Sequence, residues 1–310
     1  MKSFLFLRQF NFVSLYKTVR MQIAVLCPFI NPVSLGYAEG VIEHLMGLKM
    51  NVLVDRNLFK GLQESAVKEQ LKEFSSLDSS TNYLICIGGD GSMLQAVTVV
   101  KDSNVPILGI NTGRLGFLTS LQKESLNKGL QLLWEKKYRL VKRTLLSVDL
   151  GKEQELLGDF PYALNEISVS RKDTASLISV NASIDGKALT TYWADGLIVT
   201  TPTGSTGYSL SSGGPIVLPE TPSLVMTPIA PHNLNIRPLV LPDNTEITLK
   251  VAGREDQHLL SLDSRLVTLP HNSPIKIRKA PFTISTVEFN DTAFYTTLRE
   301  KLYWGLDKRN

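Results

Sequence analysis

The chemistry available to this chain is concentrated in a few short stretches. Gly88-Gly89-Asp90-Gly91-Ser92 sets a carboxylate in a glycine-rich turn after an apolar run, Tyr83 to Ile87, and before Met93, Leu94, Val97 and Val100, which repeat with helical spacing. Glycines let backbone N–H groups converge on phosphate oxygens, and the dipole of a following helix favours negative charge at that point. Asp90 conflicts with a phosphate unless a metal ion or an acceptor hydroxyl lies beside it. Asp-Gly is also ordinary turn chemistry, so the position between strand and helix carries more weight than the four letters do. A second such stretch, Asn111-Thr112-Gly113-Arg114-Leu115-Gly116-Phe117, follows the apolar run Val105 to Ile110. Together they offer Gly88, Gly89, Gly91, Asn111 and Gly113 to a phosphate.

Asp195 to Pro215 is a stretch of another kind. It holds nine hydroxyl side chains and five glycines, with Asp195 its single charge, and it opens with the apolar strand Leu197 to Val199. A plain Ser/Thr/Gly loop is the bland account; glycine density after a buried strand favours a loop that lies against a polar ligand. With no Lys or Arg between 196 and 215, it suits an adenosine better than a triphosphate. Asn165-Glu166, before Ile167 to Ser170, reads by itself as a turn. The four histidines, His44, His232, His258 and His271, have no metal-ligand spacing, and no metal-binding residues are expected. Gly204-Ser205-Thr206-Gly207 is not the G-x-S-x-G elbow of serine hydrolases. The P-loop and G-x-G-x-x-G fingerprints are absent, which disfavours a P-loop kinase and a Rossmann dehydrogenase.

The elements that must position these residues divide in two. Up to Lys137, strands (22–27, 51–54, 83–87, 105–110) alternate with helical patterns (34–49, 61–75, from Met93, 120–137), and the strands are continuously apolar. That predicts a parallel sheet covered on both faces, with ligands beyond the strand carboxyl ends. From Tyr138 the chain changes to short strands at 138–150, 164–170, 177–183, 189–193, 196–201, 246–251, 259–262 and 275–279, separated by turns such as Asp185-Gly186 and Asp263-Ser264. The expected architecture is an α/β N-terminal domain (21–137 with 280–310) and a β-rich, sandwich-like C-terminal domain (138–279). A final helix from Asn290 or Asp291 to Trp304, with Gly305 behind it, returns to the first domain on Phe294, Leu298 and Leu302. Five cations between Lys136 and Arg143 read either as a solvated strand edge or as a contribution to phosphate binding.

The 310 residues carry a net charge of +4, and Lys2, Arg8, Lys17 and Arg20 account for it, leaving 29 basic against 29 acidic side chains. A neutral body argues against a nucleic-acid partner. Residues 1–20 make a poor secretory signal and read as a mis-assigned start or a disordered tail, with a targeting peptide or membrane-surface helix as the other reading. No apolar run spans a membrane. Cys27 and Cys86 lie in apolar runs as reduced thiols, the pattern of a cytoplasmic protein.

Taken in order, Gly88-Gly89-Asp90-Gly91-Ser92, Asn111-x-Gly113-x-Leu115-Gly116-Phe117-Leu118, Asn165-Glu166 and Asp195-Gly196 through Pro215 resemble the ATP-NAD kinase family from about residue 21 to the C-terminus. Gly-Gly-Asp-Gly is shared with phosphofructokinases and with diacylglycerol and sphingosine kinases, whereas Thr201-Pro202-Thr203-Gly204-Ser205-Thr206 with Ser211-Ser212-Gly213-Gly214-Pro215 is far more specific. The resemblance implies transfer of the ATP γ-phosphoryl group to the adenosine 2′-hydroxyl of NAD, giving NADP, with Mg²⁺ or another divalent cation on ATP and a homodimeric or homotetrameric assembly. It implies that Asp90 is the catalytic carboxylate with Gly91 beside it, that Asn165 and Glu166 grip adenine and ribose, and that Asp195 reads the nicotinamide end. Thr206, Gly207, Tyr208, Ser209, Leu210 and Ser211 would line the adenosine pocket, with Ala230 near it. A lipid or small-alcohol kinase of the same superfamily and a non-catalytic NAD(P)-binding protein are the alternatives. Three positions depart from the family pattern: Gly207 stands for the usual alanine, Trp193 for a basic residue, and Asp263-Ser264-Arg265 for Asp-Gly-Gln. The second leaves NAD against NADH open, and the third carries no binding role to Arg265.

Overall fold

The computed structural model describes residues 21–62, 65–113, 116–172, 176–289 and 293–303. The extension 1–20, Arg114, Leu115, the expected helix start at Asn290 or Asp291, Trp304 and Gly305 lie outside them. The first half alternates as expected: β1 (Gln22–Leu26), α1 (Pro32–Gly47), β2 (Asn51–Asp55), α2 (Arg56–Gly61), β3 (Lys72–Phe74), β4 (Tyr83–Ile87), α3 (Asp90–Val100), β5 (Ile107–Ile110) and α4 (Leu126–Trp134). The strand order β5-β4-β1-β2-β3 is parallel throughout. Ile87 pairs with Ile110, so the two glycine-rich loops leave neighbouring strand ends, and the Gly88 N–H donates to the Ile110 carbonyl at 2.9 Å.

Two local expectations change. The helix expected over 34–49 starts two residues earlier, at Pro32: the Asn31 side chain accepts the Val33 and Ser34 N–H groups, Ser34 returns the bond, and proline fits the first turn because its missing N–H has no partner there. The polar helix expected over 61–75 is not formed. Asp55 caps the short α2 through Asn57 and Leu58, and the chain then re-enters the sheet as β3. A short strand carrying charged Lys72 and Glu73 on the sheet edge mimics a polar helix in its composition.

The second half comprises β6 (Arg139–Asp149), β7 (Tyr162–Ala163), β8 (Glu166–Arg171), β9 (Ile178–Ile184), β10 (Lys187–Ala194), β11 (Gly196–Thr200), the one-turn α5 (Tyr208–Ser211), β12 (Ser223–Ile229), β13 (Leu239–Pro242), β14 (Ile247–Ala252), β15 (Gln257–Leu262), β16 (Arg265–Pro270), β17 (Ile275–Glu288) and α6 (Ala293–Leu302). Strands β13-β12-β11-β8-β15-β16 form one antiparallel sheet. The apolar faces of this sheet and of β9, β10, β14 and the first part of β17 enclose one core, including Leu197, Val199, Leu260, Val251 and Ile277.

The last strand joins the halves. Ile275 to Ile277 pair with β14, while Thr286 pairs in parallel with Ile107 of β5. β6 runs antiparallel along almost all of β17, with a register shift between Lys279 and Thr283 around Pro281, where a bulge accommodates the missing N–H. The expected junction at 279/280 therefore falls inside one continuous strand. Of the basic run 136–143, Lys136, Lys137 and Lys142 are exposed, as a solvated edge requires, whereas buried Arg143 holds Glu288 at 2.9 Å and Arg139 holds the other Glu288 oxygen at 2.8 Å. Removing one partner of a buried pair strands the other charge. We expect Glu288→Gln to cost about 3 kcal/mol in urea unfolding, and a loss below about 1 kcal/mol would contradict a pair that bears on stability.

Candidate functional site

Asp90 is the first residue of α3, and its carboxylate is held by the neighbouring loop. Oδ2 accepts the Phe117 N–H and Oδ1 the Leu118 N–H, each at 3.0 Å. Gly116 makes that approach possible: a Cβ there would lie 2.1 Å from Oδ1. Buried Asn111 sets the same loop, accepting the Gly113 N–H at 2.8 Å and donating to Thr119 Oγ1 at 3.2 Å. Each Asp90 oxygen has spent one acceptor position on backbone, so the group is fixed in direction and keeps further lone pairs for a ligand proton or a cation. Gly88, Gly89, Gly91, Asn111, Gly113 and Asp90 are thus brought together.

Asn165 and Glu166 are set by a residue that sequence reasoning took for a turn. Asp263, between β15 and β16, accepts the Leu164 N–H at 2.9 Å, the Asn165 N–H at 2.8 Å and the Glu166 N–H at 3.2 Å. Arg265 is structural here: it donates to the Phe160 carbonyl at 2.5 Å and to the Tyr162 carbonyl, and it stacks over the Phe160 ring. Behind these backbones two polar atoms stand buried without a hydrogen-bond partner, Asn165 Oδ1 and Glu166 Oε2. Unsatisfied buried acceptors are costly, and two adjacent ones point to a ligand that brings donors. Burial, reinforced by the negative charge of Asp263 and opposed by the Tyr208 backbone N–H, pushes the Glu166 carboxyl up to about 8.

The hydroxyl-rich loop packs against this pair. Four of its hydroxyls hold the loop itself: Thr200 and Thr201 donate to the Asn165 and Leu164 carbonyls at 2.8 and 2.6 Å, Ser205 donates to the Pro202 carbonyl at 2.7 Å, and Ser209 lies 2.8 Å from Thr227 Oγ1. Thr206, Gly207 and Leu210 are half-buried, whereas Tyr208 and Ser211 are exposed. Gly207 borders Glu166 directly, since a Cβ there would stand 3.1 Å from Oε2, so glycine leaves space around that oxygen.

Asp195 is not gathered with this group. It precedes Gly196, which pairs with Ser170, while Asn165 and Glu166 meet the other end of β11 at Thr200. The four rises from Gly196 to Thr200 set the two ends about 13 Å apart. At its own end Asp195 is paired with Arg171 at 3.0 Å and donates its N–H to the Ile229 carbonyl beside Ala230. Trp193, nearby on β10, is exposed.

The two halves meet in one apolar cluster. Leu164, next to Asn165, is buried with Leu118, whose N–H holds Asp90, and with Met93, Ala96 and Val97 of α3. The C-terminal helix reaches the same place: Phe294 packs on Phe117 at 6.2 Å between ring centroids, and Lys301 Nζ lies 3.4 Å from Asp90 Oδ2. Lys301 and Asp263 were missed from the sequence. The signal for Lys301 was its place one heptad after Phe294, on the helix face that turns inward. A separate cavity of about 640 Å³ opens at the carboxyl ends of β1, β2 and β3 alongside α3, lined by Phe29, Asn57, Phe74, Ser75, Gln95 and Val99 among others. No three His, Cys, Asp or Glu side chains converge as metal ligands among the described residues.

Residues 23–138 match the family model of the ATP-NAD kinase N-terminal domain, and residues 164–289 match that of the C-terminal domain. The chain is 46% identical to an NAD kinase of Christiangramia forsetii over 94% of its own length and all of the relative's. It is 53% identical to an NAD kinase of Flavobacterium psychrophilum over 80% of the chain and 86% of the relative. Among solved structures it is similar to yeast NADH kinase complexed with NADH, with a TM-score of 0.82 and 27% identity over 93% of this chain and 89% of that one. An NAD kinase from Archaeoglobus fulgidus in complex with ATP gives a TM-score of 0.69 at 26% identity, covering 90% and 99%.

The raised Glu166 carboxyl has a consequence for stability. Its folded value, about 8, lies above that of a free carboxyl, so the folded state binds the extra proton between the two and loses stability as pH rises through that window. We expect Glu166→Gln to unfold with a flatter pH dependence between about 5 and 8 than wild type. Parallel pH–stability curves would show that Glu166 is ionised in the folded protein throughout.

Proposed function

Because the chain belongs to the ATP-NAD kinase family, we propose that it transfers the γ-phosphoryl group of ATP to the 2′-hydroxyl of the adenosine ribose of NAD, giving NADP. The observation that carries this reading is the fixed Asp90 carboxylate at the head of α3, whose holding residue Leu118 and whose helix share one apolar cluster with Leu164, the chain neighbour of Asn165 and Glu166 with their orphaned polar atoms. Family membership does not favour the lipid or small-alcohol kinase reading, nor the non-catalytic one.

A ribose hydroxyl is a weak nucleophile, and phosphoryl transfer depends on positioning and charge stabilisation. In this reading Asn165 and Glu166 receive the hydroxyl and amine donors of the adenosine, with Thr206 to Ser211 as the floor beneath it. Asp90, held by two backbone N–H groups, accepts the 2′-hydroxyl proton as the oxygen attacks phosphorus. Gly88 to Gly91, Asn111 and Gly113 offer the backbone against which the donor phosphates lie. The donor's own adenosine fits the cavity beside α3, whose size is that of a nucleotide site. Its lining carries Asp55 together with Glu73 and Arg56, which pair with each other at 2.8 Å, and so leaves no unpaired cation for phosphates among the described residues of the lining.

A divalent cation, Mg²⁺ for preference, would arrive on the triphosphate and neutralise its charge. Asp90 retains lone pairs for such an ion, and a site of one carboxylate plus phosphate oxygens is usual for Mg²⁺. Asp195, with Arg171, would read the nicotinamide end, and exposed Trp193 beside it bears on the choice between NAD and NADH. The proposal further takes 21–137 with 280–310 as the nucleotide domain, 138–279 as the NAD domain, a homodimer or homotetramer as the assembly, and the cytoplasm as its place. Buried free Cys27 and Cys86 suit a reducing compartment.

Purified protein given ATP, Mg²⁺ and NAD or NADH should form the 2′-phosphorylated product in a coupled dehydrogenase assay. Asp90→Asn should keep the fold and lower turnover about 10²-fold or more. Absence of product from wild type would sink the reading, and wild-type rates in the variant would remove Asp90 from its role.

A further inference from the structure

Beside the divalent cation carried by the donor, a phosphoryl group in flight is stabilised by a protein cation next to the base; Gly88–Gly91 and residues 196–215 contain no Lys or Arg, and Lys301 stands against Asp90. We propose that Lys301, on the last turn of the C-terminal helix, is a catalytic residue that leaves Asp90 and binds the transferring γ-phosphoryl group. The proposal rests on the assignment of Asp90 as the carboxylate that faces the acceptor hydroxyl.

Geometry carries it. Lys301 Nζ stands 3.4 Å from Asp90 Oδ2 and 4.8 Å from the centroid of the Phe117 ring. A hydroxyl hydrogen-bonded to Asp90 lies about 2.7 Å from the carboxylate, and phosphorus in an attack geometry about 3 to 3.5 Å beyond it. An ammonium on a flexible stem beside that carboxylate therefore flanks the equatorial oxygens of the group being transferred. The resting contact is built to be exchanged. At 3.4 Å it is longer than the 2.9 Å pair of Arg143 and Glu288, and both side chains are partly exposed. Phe117 supports the position twice: its N–H holds Asp90, and its ring lies under Lys301 and against Phe294, which anchors the helix.

In the step itself the bond from the ribose oxygen to phosphorus forms as the bond from phosphorus to the bridging oxygen of ADP breaks. ADP leaves with that electron pair, the hydroxyl proton passes to Asp90, and Lys301 keeps its protons throughout. Its charge neutralises the equatorial oxygens, which have moved from ADP to the acceptor by the end of the step. Departure of Lys301 from Asp90 on donor binding also frees the carboxylate to take the proton. The resting pair thereby couples arrival of the donor to readiness of the base.

The test compares Lys301→Met, which keeps the aliphatic stem over Phe117, with Lys301→Gln and Lys301→Arg, each checked by thermal unfolding. Lys301→Met and Lys301→Gln should lower kcat about 10²-fold or more, as loss of a transition-state cation does, and Lys301→Arg should recover at least about tenfold of that. KM for NAD and the inhibition constant of ADP against ATP should stay within about threefold, because neither ligand presents the group that Lys301 holds. A kcat within about threefold of wild type in both neutral variants would overturn the proposal, and so would a loss of ADP affinity equal to the loss of kcat. Wild-type protein that makes no NADP would overturn the underlying function as well, whereas an active wild type with unaffected variants overturns the role of Lys301 alone.

Discussion

One strand determines where the two halves of the site stand. β17 pairs with the antiparallel strand β14 near its start and with the parallel strand β5 near its end, and β6 lies along almost its whole length. β17 thereby joins the parallel sheet to the β-rich half, with β6 along one side of it and β14 and then β5 along the other. The buried Arg143–Glu288 pair lies across the same seam. The apolar cluster that contains Leu118, Leu164 and Met93 also includes Ala280 and Ile284 of β17. The spacing between Asp90 and Asn165 is thus a property of the sheet and its core, while the loops that bear these residues only finish the positioning.

On that base, two carboxylates do opposite work. Asp263 spends its oxygens on three backbone N–H groups and so fixes the backbone of Asn165 and Glu166, each of which keeps a buried side-chain oxygen without a partner. Asp90 accepts two backbone N–H groups, has Lys301 Nζ at 3.4 Å, and is partly exposed. In the proposed function the first organises the binding surface, and the second acts on what is bound. The hydroxyl-rich loop completes the surface largely by bonding to itself and to the Leu164–Asn165 backbone. Its serines and threonines are scaffold first and lining second.

Much of this was legible in the sequence where the signal was local. Tyr83–Ile87 was readable as a strand because it is continuously apolar, as suits a strand buried at all five residues, and the glycine-rich loops followed from their place after apolar strands. The 61–75 helix failed because a three-residue edge strand has a polar composition that periodicity cannot tell from a helix. β12 was missed because Pro228 reads as a breaker; it is tolerated beyond the ladder with β13, which ends at Met226. β16 was missed because Arg265 and Pro270 mask a short alternating run. Asp263 acts on backbone about a hundred residues earlier, and no local pattern announces such a contact. The separation of Asp195 from Asn165 depends on the antiparallel sense of β8 and β11, which spacing along the chain does not encode.

The central claim is that Asn165 and Glu166 present one particular hydroxyl to Asp90. Phosphorus-31 NMR of the product made from NAD and ATP tests it most directly. The account predicts a single new phosphomonoester on the 2′ position of the adenosine ribose, and phosphate on the nicotinamide ribose or at a 3′ position would contradict it.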